Sequence, residues 1–210
     1  MLMNQIKDVY NNIATEFDKS RFRIWPCVYN FLDKIRDGSY MLDIGCGNGK
    51  NMTVKSTLNF KGIDLSDHLV NICKKKGLDV IEANMTSIPF SDCSFDGFIS
   101  VASYHHLDND QDRQTALSEM FRILKSGGKG LIVVWAMEQP SDSNFNFTKS
   151  DELVKWKNNV TKEIFYRYYH IYRENELENE IKKLEPRFKI NLVGWEKGNW
   201  WIQIEKPELY

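Results

Sequence analysis

The stretch LDIGCGNGK, spanning Leu42–Lys50, joins the end of an apolar segment to a run of alternating glycines. The apolar segment ends at Ile44, and Gly45, Gly47 and Gly49 follow at every second position. Glycine lets the backbone turn tightly and lets a ligand approach the main chain. The stretch therefore predicts a β-strand that ends in a ligand-binding turn.

On both sides of this turn, strand-like apolar runs alternate with amphipathic helical runs. The predicted strands are YMLDIG, NFKGIDLS, LDVIEAN, FDGFISVAS and GKGLIVVWAM. One predicted helix is SDHLVNICKKKG, which Ser66 caps and Gly77 ends, and another is QDRQTALSEMFRILKSGG, which ends at glycines. This alternation predicts a parallel sheet with helices on both faces.

The two ends of the chain depart from that alternation. Two helical segments, NQIKDVYNNIATEF and CVYNFLDKI, open the sequence, and ENELENEIKKL is a helix near its end. The segments RFKINLVGWE and WWIQIEK read as two strands joined by a short turn that contains glycine. We therefore predict an α/β fold, a doubly wound, mostly parallel seven-stranded sheet with a reversed edge strand.

The composition bounds the domain organisation. The chain has 210 residues, 42% of them hydrophobic and 27% charged, which suffices for one full core. We expect a single domain over residues 1–210. Within it, residues 1–38 form a helical N-terminal cap, residues 39–137 a cofactor-binding core, and residues 138–210 a substrate-side segment that ends in the last helix and the hairpin.

The composition also argues against several classes of protein. The sequence contains neither an apolar run of membrane-spanning length nor a basic segment followed by an apolar one at its start, so we expect no membrane and an intracellular location, the cytoplasm with the nucleus as a second compartment. The four cysteines are scattered without metal-ligand spacing, which predicts reduced thiols and no metal. A net charge of -1 excludes a uniformly basic nucleic-acid binder but leaves room for a local patch.

Such a patch is found between Leu153 and Arg173. Its only acid is Glu163. The bases are Lys155, Lys157, Lys162, Arg167 and Arg173, and they alternate with Trp156, Phe165, Tyr166, Tyr168, Tyr169 and Tyr172. Cations interleaved with aromatic rings predict an anionic partner that contains bases.

Three features sharpen the interpretation of the glycine turn. Its pattern is G-x-G-x-G, whereas nicotinamide and flavin enzymes use G-x-G-x-x-G. Asp43 lies inside the strand before the turn, and Asp64 ends the second strand, where a carboxylate can accept from both hydroxyls of a ribose. Asn84 ends the third strand, where it can meet the edge of an adenine. A nicotinamide-binding Rossmann domain is the alternative.

This set resembles the S-adenosylmethionine site of class I methyltransferases over most of the chain up to Met137. The resemblance implies S-adenosylmethionine as cofactor and S-adenosylhomocysteine as product. It implies that the cofactor contacts Asp43, Gly45, Gly47, Asn48, Asp64, Leu65, Asn84, Met85 and Val101. Most of that family has aspartate in place of Asn84, so we expect weaker binding but not a lost site.

Four further motifs, SRFRIWPCV, SVASYHHLDN, VVWAMEQ and RYYHIYRENELE with GWEKGNWWI behind it, occur in this order along the chain. Together they resemble the tRNA methyltransferases that esterify 5-carboxymethyluridine at the wobble position. The resemblance implies the tRNA anticodon loop as substrate, a small zinc-binding activator subunit as partner, and a substrate pocket lined by Arg21, His106, Trp135, Arg167 and His170. Ile24 replaces a common proline, and the segment from Met137 to Phe165 is short.

The chemistry agrees with this residue set, although each residue alone could equally be packing. A carboxylate is ionised at neutral pH, so its attack on a sulfonium methyl group needs alignment and no general base. An arginine can orient the carboxylate or a phosphate, and Trp135 or a tyrosine can stack on the uracil. Two alternatives stay open: a methyltransferase acting on a small quinone, phenol or carboxylic acid, and an inactive scaffold that binds the cofactor.

Overall fold

The computed structural model describes residues 2–158, 161–184 and 188–208. Arg187, with which the first strand of the predicted hairpin begins, lies outside the described residues, as do Met1 and Tyr210 of the predicted domain. The helices are α1 (Leu2–Ser20), α2 (Pro26–Asp33), α3 (Asp67–Lys75), α4 (Asp110–Ile123) and α5 (Glu176–Lys182). The strands are β1 (Tyr40–Ile44), β2 (Asn59–Asp64), β3 (Val80–Glu82), β4 (Phe95–Val101), β5 (Leu124–Trp135), β6 (Asp151–Lys157), β7 (Ile164–His170), β8 (Lys189–Glu196) and β9 (Asn199–Glu205).

Seven of the strands form one sheet in the order β3-β2-β1-β4-β5-β9-β8. The first five are mutually parallel, whereas β9 runs antiparallel to both β5 and β8. The predicted fold is therefore confirmed. The reversed strand belongs to the terminal hairpin and lies one position in from the edge, because it pairs with β5 on one side and with β8 on the other.

Apolar side chains cover both faces of this sheet, as a doubly wound fold requires. On one face Leu117 and Met120 of α4 and Ile181 of α5 pack in a cluster with Phe98 of β4. A second cluster joins the buried side of α2 to β1, β4 and β5. Both helical layers leave the carboxyl ends of the parallel strands free, which is where this architecture places a ligand.

Two predicted elements differ from the structure. Helix α4 ends at Ile123, before the glycines, because Leu124 already pairs with Phe95 as part of β5. The segment rich in tyrosine forms a separate antiparallel ribbon, β6 with β7, that no motif predicted as a unit. Among the described residues, no helix is both long and apolar enough to cross a membrane.

Candidate active site

The glycine turn is built from left-handed backbone. Gly45, Gly47 and Gly49 have φ of 73°, 57° and 74°, values that side chains rarely allow. A Cβ on Gly45 would lie 2.3 Å from Cβ of Ser103, whose hydroxyl donates to the carbonyl of Ile44 at 2.7 Å. The turn is thus pressed against the loop after β4, and only glycine allows this approach.

Asp64 holds the turn from the end of β2. One carboxylate oxygen accepts from the backbone N–H of Gly47 at 2.7 Å and the other from that of Ser66 at 2.9 Å. Burial raises the pKa of this carboxyl. A carboxylate has about four acceptor sites, so acceptor capacity remains for a hydroxyl of a ribose. Asp64 can therefore shape the turn and bind a ligand at the same time.

Asp43 lies beneath the turn and is fully buried. Neither of its carboxylate oxygens has a hydrogen-bond partner among the residues that the structure describes. Burial, and then the nearby charge of Asp64, raise the pKa of Asp43 to about 8. Asp43 does not line the cavity above the turn, so its predicted contact with the cofactor is not direct in this geometry. At neutral pH this carboxyl group is therefore mostly protonated, and a positively charged ligand nearby would lower its pKa again.

A cavity of about 450 Å³ opens above the glycine turn. Apart from Asp43, every predicted cofactor-binding residue lines it: Gly45, Gly47, Asn48, Asp64, Leu65, Asn84, Met85 and Val101. Of the predicted substrate residues, Arg21, His106, Trp135 and Arg167 line it as well. The carboxyl ends of β1, β2, β4 and β5 thus meet the N-terminal cap and β7 around one space.

The N-terminal cap is fastened to the glycine turn. The amide nitrogen of Asn48 donates to the carboxylate of Asp18 at 3.0 Å and to the carbonyl of Arg21 at 2.8 Å. Lys76 binds the same carboxylate of Asp18. The side chain of Asn48 therefore joins the end of α1 to the turn, which is a positioning role. The cap brings Tyr10 into the cavity wall.

Asn84 is held in a local turn. Its side-chain oxygen accepts from the backbone N–H of Thr86 at 3.0 Å. A carbonyl oxygen has two lone pairs, so one remains for a donor such as the amino group of adenine. The geometry leaves room for the predicted contact, with half of the acceptor capacity already in use.

Two arginines make the substrate side of the cavity cationic. The guanidinium carbons of Arg21 and Arg167 lie 5.1 and 4.9 Å from the ring centroid of Trp156. Arg167 is only 4% exposed, and among the described residues neither arginine has a carboxylate within 4.0 Å. Burial, and then the charge of Arg167, lower the pKa of Arg21. Burying a cation without a counter-ion costs free energy, which an anionic ligand would offset, so this pair suits an anionic ligand.

His106 is locked in one tautomer. Its Nδ1 lies 2.7 Å from the backbone carbonyl of Tyr168, which only accepts, so Nδ1 carries the proton and Nε2 accepts from the hydroxyl of Tyr10 at 2.8 Å. Burial lowers the pKa of His106 to about 3. His106 is therefore neutral at physiological pH and has no free basic nitrogen.

The structure does not bring His170 to the cavity, which corrects its predicted position. Its ring nitrogens lie 3.0 Å from Asp151 and 2.8 Å from Glu176. Burial lowers the pKa of His170, but hydrogen bonds and charge from these two carboxylates outweigh burial and raise it. His170 thus ties the ribbon to α5 as a charged structural link. Its neighbours Arg167 and Tyr169 line the cavity instead.

The aromatic wall of the cavity differs from the predicted one. Trp135 stacks on Tyr169 with ring centroids 4.4 Å apart and is flanked by Phe145 and Phe147 on the loop that follows β5. One face of Trp135 is therefore already covered. Tyr169, which the sequence placed only within a tyrosine-rich run, is the ring that connects this wall to Arg167.

Nothing in the sequence pointed to Tyr10 of α1, and the sequence indicated Trp156 of β6 and Tyr169 of β7 only as members of the basic, aromatic patch. Alternation along β7 is the signal that could have found Tyr169, since it lies two residues from Arg167 on the same face of the strand. No local signal connects Tyr10 to the cavity, because it reaches the cavity only through the docking of α1. Trp156 does not line the cavity but packs against Arg21 and Arg167, which do.

We predict that Asp64→Ala weakens binding of S-adenosylmethionine by at least about tenfold, because it removes the acceptor for the ribose hydroxyls and the one that holds Gly47. Titration calorimetry measures this affinity. Asp79→Ala removes an exposed carboxylate outside the cavity and serves as the control. An unchanged affinity for Asp64→Ala would refute the role of Asp64.

Known proteins resemble this chain in sequence. A family model described as a methyltransferase domain matches residues 42–132. A tRNA (carboxymethyluridine(34)-5-O)-methyltransferase of Schizosaccharomyces pombe is 34% identical, and the match covers 96% of both chains. The tRNA (carboxymethyluridine(34)-5-O)-methyltransferase alkbh8 of Xenopus tropicalis is 30% identical over 96% of this chain and 40% of its own length. This chain spans only 33–40% of several of its relatives.

Solved structures resemble it in fold. A complex from Haloferax volcanii contains the Trm112 methyltransferase activator and a chain that matches 98% of this one and 99% of its own length, with a TM-score of 0.73 and 16% identity. The Burkholderia thailandensis 1,6-didemethyltoxoflavin-N1-methyltransferase, solved with S-adenosylhomocysteine, matches 98% of this chain and 88% of its own, with a TM-score of 0.69 and 15% identity. At these identities the likeness concerns the fold alone.

Proposed function

The chain belongs to the family of tRNA (carboxymethyluridine(34)-5-O)-methyltransferases, and we propose that it converts the carboxylate of 5-carboxymethyluridine at the tRNA wobble position to the methyl ester. The observation that carries this proposal is the pair Arg21 and Arg167, which lines a cavity shared with the glycine turn and has no acidic partner among the described residues. A carboxylate acceptor supplies the missing negative charge.

The proposed mechanism needs orientation and exclusion of water. S-adenosylmethionine, when bound, supplies a methyl group on a sulfonium sulfur and leaves as S-adenosylhomocysteine. Gly45, Gly47 and Asp64 would hold it, with Asn84 and Met85 at the adenine end. Arg21 and Arg167 orient the carboxylate or an adjacent phosphate through hydrogen bonds. Transfer of that methyl group from sulfur to a carboxylate oxygen would remove two opposite charges together, which a dry cavity favours.

The arrangement of the two histidines agrees with an acceptor that is already ionised. His106 is neutral and bonded at both nitrogens, and His170 lies outside the cavity. Neither is available as a general base. A phenol acceptor would need one, so this geometry does not favour the phenol form of the small-molecule alternative.

We predict that the rate of methyl transfer is nearly flat between about pH 6 and 8, because the acceptor carboxylate is ionised throughout and His106, with a pKa of about 3, stays neutral. Asp43, with a pKa of about 8, lies outside the cavity and takes no part in proton transfer. A pH profile of kcat/KM with tRNA measures this. A rate that rises tenfold per pH unit towards neutrality would instead indicate a titrating base and would contradict a carboxylate acceptor.

The function itself is tested with labelled S-adenosylmethionine and total tRNA from cells that lack this methyl ester, followed by nucleoside mass spectrometry. We expect label in 5-methoxycarbonylmethyluridine. Label in a small acceptor and none in tRNA would support the alternative enzyme, and absence of turnover with any acceptor would support a scaffold.

Because the proposed substrate is tRNA, we place the activity in the cytoplasm, with the nucleus as a second compartment.

We also propose a small zinc-binding activator as partner. The support is the Haloferax volcanii neighbour, which was solved with the Trm112 methyltransferase activator, and the free edges of the sheet, β3 and β8. On β8, Leu192, Val193 and Trp195 are 39–47% exposed, and an open edge with apolar side chains invites pairing. A purified chain that is monodisperse, stable and fully active alone would contradict this proposal.

The division of the domain into residues 1–38, 39–137 and 138–210 also stays a prediction.

A further inference from the structure

The ribbon formed by β6 and β7 has two faces of opposite character. Residues directly across the ribbon share a face, and faces alternate along each strand. The inner face consists of Glu152, Val154, Trp156, Phe165, Arg167 and Tyr169, all of them buried or half-buried. The outer face consists of Asp151, Leu153, Lys155, Lys157, Ile164, Tyr166, Tyr168 and His170, and it is exposed except for the half-buried Tyr168 and the buried His170 at one end.

The inner face belongs to the cavity. Arg167 and Tyr169 line it, and the ring of Trp156 packs against the guanidinium groups of both Arg167 and Arg21. The basic, tyrosine-rich segment is therefore divided by strand alternation. Half of it serves the cavity, and the other half faces solvent a few ångströms away on the same two strands.

The outer face combines exposed apolar side chains with lysines. Leu153, Ile164 and Tyr166 are 65%, 46% and 55% exposed, three of the large apolar side chains that this protein leaves in water. Isolated exposed apolar residues are ordinary, but here three share one small ribbon. Lys155 lies directly opposite Tyr166, and Lys157 opposite Ile164.

The two lysines on this outer face lack acidic partners within the described part of the chain. Lys155 and Lys157 have no carboxylate within 4.0 Å among the residues that the structure describes. The acid on the same face, Asp151, lies at the far end, where Tyr168 and His170 bind it. The cores of protein interfaces are depleted in lysine. Nucleic-acid surfaces, in contrast, pair lysines for phosphates with exposed rings for bases.

We propose that the outer face of the ribbon binds single-stranded RNA, with Lys155 and Lys157 on phosphates and Tyr166 stacked on a base. This inference rests on the proposed function and names the surface that holds the anticodon loop while its wobble nucleoside occupies the cavity behind the same ribbon. Because the ribbon is shared, RNA on the outer face stays within reach of Arg167 on the inner face.

The test compares binding and catalysis in the full chain. The probe is an anticodon stem-loop RNA with 5-carboxymethyluridine at the wobble position. Lys155→Ala/Lys157→Ala should raise its Kd about tenfold and reduce the slope of log Kd against log salt by about 1 to 1.5, as expected for two lost phosphate contacts to a single strand. Tyr166→Ala should raise Kd about tenfold through lost stacking.

Matched controls isolate the surface. Tyr29→Ala removes a tyrosine that is 56% exposed on α2, against 55% for Tyr166, and Lys74→Ala/Lys75→Ala removes two exposed lysines on α3. The controls should leave Kd within about twofold. All variants should bind S-adenosylmethionine and methylate the free nucleoside 5-carboxymethyluridine as the wild type does, since the inner face is untouched.

The outcomes separate this inference from the proposed function. If the wild type methylates the RNA and ribbon variants behave like their controls, the RNA surface is elsewhere and the inference is wrong, whatever else covers the ribbon. If the wild type neither binds nor methylates RNA or the nucleoside, the proposed function fails and the inference falls with it. Weaker RNA binding with intact nucleoside methylation supports the inference.

Discussion

Arg167→Met is expected to lower kcat/KM for tRNA at least about thirtyfold, because removing one partner of a buried charge pair costs about 2 to 5 kcal/mol. Arg167 is 4% exposed and faces the cavity beside Arg21, so water cannot replace its contacts with an anionic acceptor. Affinity for S-adenosylmethionine should stay within about twofold, since the cofactor is held by the glycine turn and Asp64. Steady-state kinetics and calorimetry measure the two quantities.

Stability distinguishes this role from packing. A buried guanidinium without an acidic partner costs free energy in the unliganded protein, so Arg167→Met should leave the Tm unchanged or raise it. A packing role predicts a lower Tm together with weaker binding of both ligands. Arg173→Met makes the same chemical change at an exposed position outside the cavity and should leave transfer intact.

His170→Ala completes the comparison, because His170 belongs to the same sequence motif but not to the cavity. Its removal leaves Asp151 and Glu176 without the cation between them. Such a loss lowers stability by about 1 to 3 kcal/mol. We therefore expect a lower Tm with nearly normal transfer at low temperature, the opposite of Arg167→Met.

Gly45→Ala is expected to weaken binding of S-adenosylmethionine at least about thirtyfold, roughly 2 kcal/mol, through loss of the turn geometry. The new Cβ would lie 2.3 Å from Cβ of Ser103, at a φ of 73° that alanine tolerates poorly. Because Ser103 is buried and its hydroxyl holds the carbonyl of Ile44, the turn must move instead. Calorimetry of the purified variant gives the affinity.

Gly77→Ala provides the matched control for that variant. Gly77 has a φ of 78°, and a Cβ there would meet no atom within 4 Å. The Gly77→Ala variant should therefore lose only about 1 to 2 kcal/mol of stability, which is what left-handed backbone costs alanine. It should bind the cofactor normally. If both variants lose affinity equally, or neither does, then close packing of Gly45 on Ser103 is not what shapes the cofactor turn.

Much of the fold was predictable from local pattern. Glycine spacing, apolar runs and helix stops identify β1 to β5 and the helices around them, because these signals depend on neighbours within a few residues. The predicted C-terminal end of α4 was wrong, because pairing of Leu124 with Phe95 outweighs the helical pattern of the segment. The cofactor side of the cavity was also predictable, because parallel strands bring their carboxyl ends, including Asp64 and Asn84, to one edge.

The sequence by itself therefore determined the doubly wound sheet, the glycine turn and the chemistry of the cationic, aromatic segment. Only the tertiary structure decided how that segment is used. Docking of the ribbon places Arg167 and Tyr169 in the cavity and turns Lys155 and Tyr166 to solvent, while His170 pairs with Asp151 and Glu176. The reason is physical: alternation along a strand defines two faces, but which face is buried depends on the distant elements packed against it.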